Sequence, residues 1–92
     1  MNKTYLDKIC SIRKTTELNI VKVRNMLDAL EKKRIVIENK LSVYEQKLEL
    51  TDRQEEIVDE LENELEELQD STDNLEEISD ALDNLLNLTT LS

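Results

Sequence analysis

The stretch Leu50-Thr51-Asp52-Arg53-Gln54-Glu55-Glu56-Ile57 decides how this chain folds, because two heptad tracks meet in it out of frame. N-terminal to it, apolar residues recur at alternating spacings of three and four. The a positions of that track are Leu6, Arg13, Ile20, Leu27, Arg34, Leu41 and Leu48, and the d positions are Ile9, Thr16, Val23, Leu30, Ile37 and Tyr44. Only Arg13, Thr16 and Arg34 interrupt the apolar run, so this half reads as an amphipathic helix that needs a partner helix. C-terminal to the stretch, Leu61, Leu68, Leu75 and Leu82 repeat every seven residues, with Val58, Leu65, Thr72, Ser79 and Leu86 between them. Val58 is a d position when counted from the first track and an a position in the second. A stammer inside one unbroken helix absorbs such a shift. A turn removes it altogether.

Local chemistry favours the turn. Thr51 with Gln54, and Asp52 with Glu55, each offer an N-cap followed three residues later by a side chain that reaches back, the signature of a new helix start. The charge balance also changes sign here. Residues 1–50 carry eleven Lys and Arg against seven Asp and Glu, whereas residues 51–92 carry Arg53 alone against fifteen acids. Within the second half, Glu56–Glu60, Glu60–Glu64 and Glu62–Glu66 are like-charge pairs four residues apart, each costing an isolated helix about 0.2–0.5 kcal/mol. A basic helix laid alongside offsets that repulsion, and the chain supplies its own.

The expected fold is therefore all-α: an antiparallel helical hairpin or coiled coil, with one long interrupted helix in a multi-chain bundle as the alternative. Residues 1–50 form the basic amphipathic helix, 51–56 the turn or stammer, and 57–92 the acidic amphipathic helix. The polar run Gln69-Asp70-Ser71-Thr72-Asp73-Asn74 offers caps for a third helix, so a break at 70–74 is the alternative to an unbroken second helix. Folding back near residue 51 sets Leu41 against Leu61, Ile37 against Leu65, Leu27 against Leu75 and Ile20 against Leu82. A fold one heptad later, near residues 54–55, also matches the pattern. The expected interface seam comprises Ile20, Val23, Leu27, Leu30, Arg34, Ile37, Leu41, Leu61, Leu65, Leu68, Leu75 and Leu82. Arg34 in the seam calls for a partner such as Glu67 or Asp70, or for a side chain that runs out to water.

More apolar residues are present than one seam uses. Ile35, Val36, Ile78, Leu85 and Leu88 form a second stripe, joined by Ile12, Val21, Met26 and, in the C-terminal run, Leu91. Contiguous exposed apolar surface of this kind marks an interface.

What is missing narrows the function. The chain has 92 residues with no Gly, Pro, His, Trp or Phe, and a single Cys. Without Gly there is no phosphate-cradling loop or dinucleotide fingerprint. Without His, and with one Cys, the usual zinc sites and nucleophile–base pairs are gone. No catalytic residue, cofactor or metal site is expected. The acidic run from Asp59 to Glu67 lacks the Gly-bearing loop of a calcium-binding EF-hand. The heptad leucines are not preceded by the basic helix that a DNA-binding zipper needs, and a net charge of −10 opposes phosphate contacts. Nucleic acid is thus not an expected partner, and no segment has the roughly 20 apolar residues of a membrane span. The sequons Asn2-Lys3-Thr4 and Asn87-Leu88-Thr89 have no targeting signal to give them meaning. Cys10 reads as a small hydrophobe in a reducing compartment, which places the chain in the cytoplasm or the nucleus.

Sixteen of the 35 apolar residues are Leu, a composition of long helices and coiled coils. In general character the chain is similar to the short coiled-coil subunits of tethering, vesicle-trafficking and kinetochore-type complexes. The likeness covers periodicity and no motif. It implies a non-catalytic subunit or adaptor that assembles with other helical proteins or with itself. The alternative is a small acidic chaperone or mimic that masks a basic client protein.

Overall fold

The computed structural model describes residues 3–90, so Asn2 of the first sequon and Leu91 of the C-terminal apolar run lie outside the described residues. Two helices, α1 (Lys3–Glu45) and α2 (Asp52–Leu88), pack against each other and make an all-α helical hairpin. The frame discontinuity of the sequence is the turn between them.

That turn occupies residues 46–51, not 51–56, and α1 stops at Glu45 rather than at residue 50. The capping chemistry explains the displacement. The Thr51 amide donates to Gln54 Oε1 at 3.0 Å, and the Gln54 amide donates to Thr51 Oγ1 at 3.2 Å, a complete capping box. The Glu55 amide then donates to the Thr51 carbonyl at 2.9 Å, the first helical bond of α2. Thr51 is thus the cap itself, and the reversal of the chain has to be complete before it. Asp52 and Glu55 in the first turn suit the positive end of the helix dipole. No described residue has positive φ, so the left-handed cap that ends many helices is not used. Instead the Lys47 amide donates to the Tyr44 carbonyl at 3.1 Å, and six residues make a turn that Gly would have shortened. Leu48, an a position in the sequence pattern, falls in this turn and is fully exposed. Leu50 is half-buried instead.

The alternative break does not form: α2 runs unbroken through 70–74, as the two-helix reading requires. The polar residues there are accommodated as helix surface. Gln69 donates from its side-chain amide to Asp73 Oδ1 at 3.0 Å, one turn further on, and Thr72 sits half-buried in the seam. Caps were on offer, but propagating a helix that already exists costs less than nucleating a new one.

The hairpin divides into two compact units. One is Asp28–Asp73, which contains the turn and is called the turn unit below; the other joins the chain up to Leu27 with the chain from Asn74, the terminal unit. In the turn unit Ile37, Leu41 and Leu68 are buried, and Leu30, Val58, Leu61 and Leu65 pack against them. Ile37 is the most enclosed of these at 3% exposure. Leu30 and Lys33 share a groove with Leu68 and Ser71, whereas Leu41 and Tyr44 share one with Val58 and Glu62. Numbers rising along α1 meet numbers falling along α2, so the segments are antiparallel, and the fold centres near residue 50. The earlier of the two registers compatible with the sequence is the one adopted.

The terminal unit is seamed differently. Ile20 and Val23 are buried, as are Thr16, at 2% exposure, and Thr89. Leu6, Ile9, Leu27, Leu75, Ser79, Leu82 and Leu86 are half-buried. The enclosed hydroxyls are satisfied locally, by carbonyls three or four residues earlier in the chain. Thr16 Oγ1 donates to the Ile12 carbonyl at 2.8 Å, and Thr89 Oγ1 to the Leu86 carbonyl at 2.9 Å. This local bonding removes most of the cost of placing a hydroxyl in an apolar seam.

Candidate protein-interaction surface

In an antiparallel pair, the c and g positions of both helices lie on one side of the seam and the b and e positions on the other. The turn unit separates its chemistry along that division. On the first side α1 presents Lys33, Lys40 and Lys47, each seven residues from the next, with Val36 and Val43 between them. α2 presents Ile57, Glu60, Glu64 and Glu67. Two grooves bring most of these residues together, while Val36 and Glu60 are placed by the heptad: one is lined by Lys40, Val43, Tyr44, Lys47, Ile57 and Leu61, the other by Leu30, Lys33, Glu64, Glu67, Leu68 and Ser71. The Lys47 ammonium lies 5.4 Å from the Tyr44 ring centroid, a cation–π contact that holds the ring in place. Val36 at 51% and Val43 at 57% exposure have no cover.

The second side is acidic on both helices. Glu31, Glu38 and Glu45 occupy e positions of α1, and Glu55 and Glu62 those of α2. Glu45 and Glu62 line one groove with Leu41, Tyr44, Leu50 and Val58. Arg34 relieves part of this like-charge crowding. Of the two outcomes expected for Arg34, the one in which the side chain runs out toward water is met: it is 38% exposed and held by its own helix, not by Glu67 or Asp70. Its Nη1 donates to Glu38 Oε1 at 2.6 Å and its Nε to Glu31 Oε2 at 3.0 Å, while Nη2 also bonds Glu31. These two carboxylates push the guanidinium pKa further up, first through the hydrogen bonds and then through their charge. An Arg at an a position, three residues after one Glu and four before another, reaches them without crossing the seam.

Every ion pair within 4.0 Å among the described residues is of this local kind: Arg13–Glu17, Arg34–Glu31, Arg34–Glu38 and Arg53–Glu56. The opposite charges of the two halves therefore meet as general attraction and not as a ladder of direct bridges. Most carboxylates of α2 have no cation in contact.

The terminal unit is apolar where the turn unit is charged. Tyr5, Ile12 and Met26 at g positions of α1 are exposed, as are Ile78, Leu85 and Leu88 of α2. Ile12 and Leu85 line one groove together with Thr15, Thr16, Asn19 and Leu82. Leu18 and Val21 are exposed elsewhere on α1, and Cys10 is exposed as a free thiol rather than buried as a small hydrophobe.

Of the residues assigned to the seam from sequence, Ile20, Val23, Ile37, Leu41 and Leu68 are buried, and Leu27, Leu30, Arg34, Leu61, Leu65, Leu75 and Leu82 are half-buried. The second-stripe residues Ile35, Val36, Ile78, Leu85 and Leu88 are all exposed, but they do not form one stripe. Ile35 is a b position on the acidic side of the turn unit; Val36 is on its lysine-bearing side; Ile78, Leu85 and Leu88 belong to the terminal unit. Val43, Ile57 and the Lys33, Lys40, Lys47 row are additions. The seven-residue spacing of the lysines was the signal that identifies them.

Among the described residues, no group of three or more His, Cys, Asp or Glu side chains is placed to hold a metal ion, and no helix is long and apolar enough to cross a membrane. No family model, no curated protein and no solved structure matches the chain. Fold and surface together define a helical hairpin whose seam is closed within the chain and whose outer faces carry uncovered apolar side chains.

Proposed function

We propose that the protein is a non-catalytic coiled-coil subunit or adaptor that assembles with partner helices in a multi-protein complex of the tethering, trafficking or kinetochore-like kind. The observation that carries this reading is the exposure of aliphatic side chains outside the seam in both units: Val36 and Val43 in one, Ile12, Met26, Ile78 and Leu85 in the other. All of them lie outside the a and d positions of the seam. Uncovered at these spacings, they are the second row of knobs that a helix needs when it packs against more than one neighbour. The test is a pull-down of the tagged chain from its native host, washed at low and then at roughly 1 M salt, where the Debye length falls to about 3 Å. Helical partners retained in fixed ratio through the high-salt wash support the assembly reading.

A second reading rests on a separate observation. The carboxylates of α2 lack contacting cations from α1, which leaves a charged surface open to a basic client. An acidic chaperone or mimic of this kind holds its client by screened charge. The same pull-down separates the two, since such a client leaves in the high-salt wash.

A further inference from the structure

The lysine-bearing side of the turn unit has a property that its acidic side lacks: it is complementary to itself. α1 brings a row of cations with exposed valines between them, and α2 brings Ile57 and a row of anions, on the same side of the same unit. A twofold axis running lengthwise between two such faces places α1 of each copy over α2 of the other. With the register of the hairpin itself, Lys33 comes level with the partner's Glu67, Lys40 with the partner's Glu60 and Val43 with the partner's Ile57. The reciprocal contacts follow from the symmetry, as in any isologous interface. Lys33 and Lys40 are in no ion pair with another described residue, so the second copy adds pairings without breaking any.

We infer that the chain pairs with a second copy of itself through this face, making a four-helix bundle of two hairpins over the turn unit. The acidic side cannot serve this purpose. Two copies meeting there would set Glu31, Glu38, Glu45, Glu55 and Glu62 against the same residues, with only Arg34, already engaged by Glu31 and Glu38, to offset them. Opposite charges across an interface fix register and orientation, and the valines supply the desolvated centre that charges alone do not. This inference rests on the assembly reading above and names its partner.

Sedimentation of the purified full chain and a charge exchange test it. The native chain is expected to sediment as a dimer at low salt. The variant Lys33→Glu with Lys40→Glu, and separately Glu60→Lys with Glu67→Lys, should each weaken self-association at least tenfold. An equimolar mixture of the two variants should recover a dimer containing one chain of each. Should either charge variant lose helicity by circular dichroism, Val36→Lys with Val43→Lys replaces it. Those side chains are exposed in the hairpin, so that variant stays folded and should be monomeric. A native chain that sediments as a monomer overturns the inference, as do charge variants that dimerise like the native chain. Neither result affects the retention of other helical proteins in the high-salt pull-down, so the broader assembly reading fails or stands on its own test.

Discussion

The turn unit and the terminal unit use the same heptad to opposite ends. In the turn unit the buried seam residues Ile37, Leu41 and Leu68 are all aliphatic, with Arg34 and Thr72 only half-buried among them, and the flanks are charged. In the terminal unit hydroxyls enter the seam at Thr16, Ser79 and Thr89, while Tyr5, Ile12, Met26, Ile78, Leu85 and Leu88 stay outside it. Stability of a helix pair comes chiefly from apolar area removed from water, about 25 cal/mol per Å². The turn unit uses most of its apolar residues to close the hairpin, leaving Ile35, Val36, Val43 and Leu48 exposed. The terminal unit keeps a larger share of its apolar residues exposed. A heptad pattern thus specifies where side chains point, and the identity of the residues decides how much apolar surface the hairpin encloses.

The harshest way to break this comparison is to place a charge in both seams at once. Leu27→Asp with Leu65→Asp puts one carboxylate in each unit at a half-buried seam position. Neither has a built partner, and the expected outcome is loss of cooperative unfolding and of most far-ultraviolet helical signal. Full helicity in this variant would show that the seam is wrongly assigned. A milder pair of substitutions probes the contrast directly. Ile37→Ala should destabilise the chain by about 2–3 kcal/mol in urea unfolding, the low end for a buried aliphatic because a two-helix core relaxes easily. Thr16→Val should change stability by less than about 1 kcal/mol in either direction, since the hydroxyl it removes is satisfied within its own helix. Equal costs at the two sites would erase the distinction between the units.

Smaller effects sharpen it at the ends. Thr51→Ala removes the cap of α2 and should cost about 1 kcal/mol, read as a lower urea midpoint. Glu66→Gln relieves like-charge neighbours at Glu62 and Asp70 and should stabilise by a few tenths of a kcal/mol for each pair. That gain should disappear at high salt, because the repulsion it removes is between exposed charges.

Much of this architecture is legible in the sequence, for identifiable reasons. The seam follows from spacing alone, because a helix converts a 3-4 spacing into one face regardless of neighbours. The capping box at Thr51 and Gln54 is equally local, and it forms with both of its hydrogen bonds. Its consequence was harder to read: if Thr51 caps α2, the turn has to precede it, and Leu48 leaves the seam. Gln69 to Asn74 leaves both readings open because cap-forming residues are also adequate helix surface, and only the competition with an already propagating helix decides between the two. The partner of Arg34 was legible in Glu31 and Glu38, three residues before and four after, yet a seam position draws attention across the interface. The lysine row at 33, 40 and 47 gains meaning only when its side of the hairpin is known to include Glu60, Glu64 and Glu67, which needs the register of the fold.

The seam folds the chain, and the outer face is proposed to assemble it. The concentration dependence of thermal unfolding, followed by circular dichroism for the native chain and for Val36→Ser with Val43→Ser, tests that division most directly. Association raises the melting temperature by mass action, so the native value should climb with protein concentration. The variant should melt at the same temperature as the native chain in the dilute limit and show no such climb. A variant that melts well below the native chain even at high dilution would mean that Val36 and Val43 hold the hairpin itself together, and the division would be wrong.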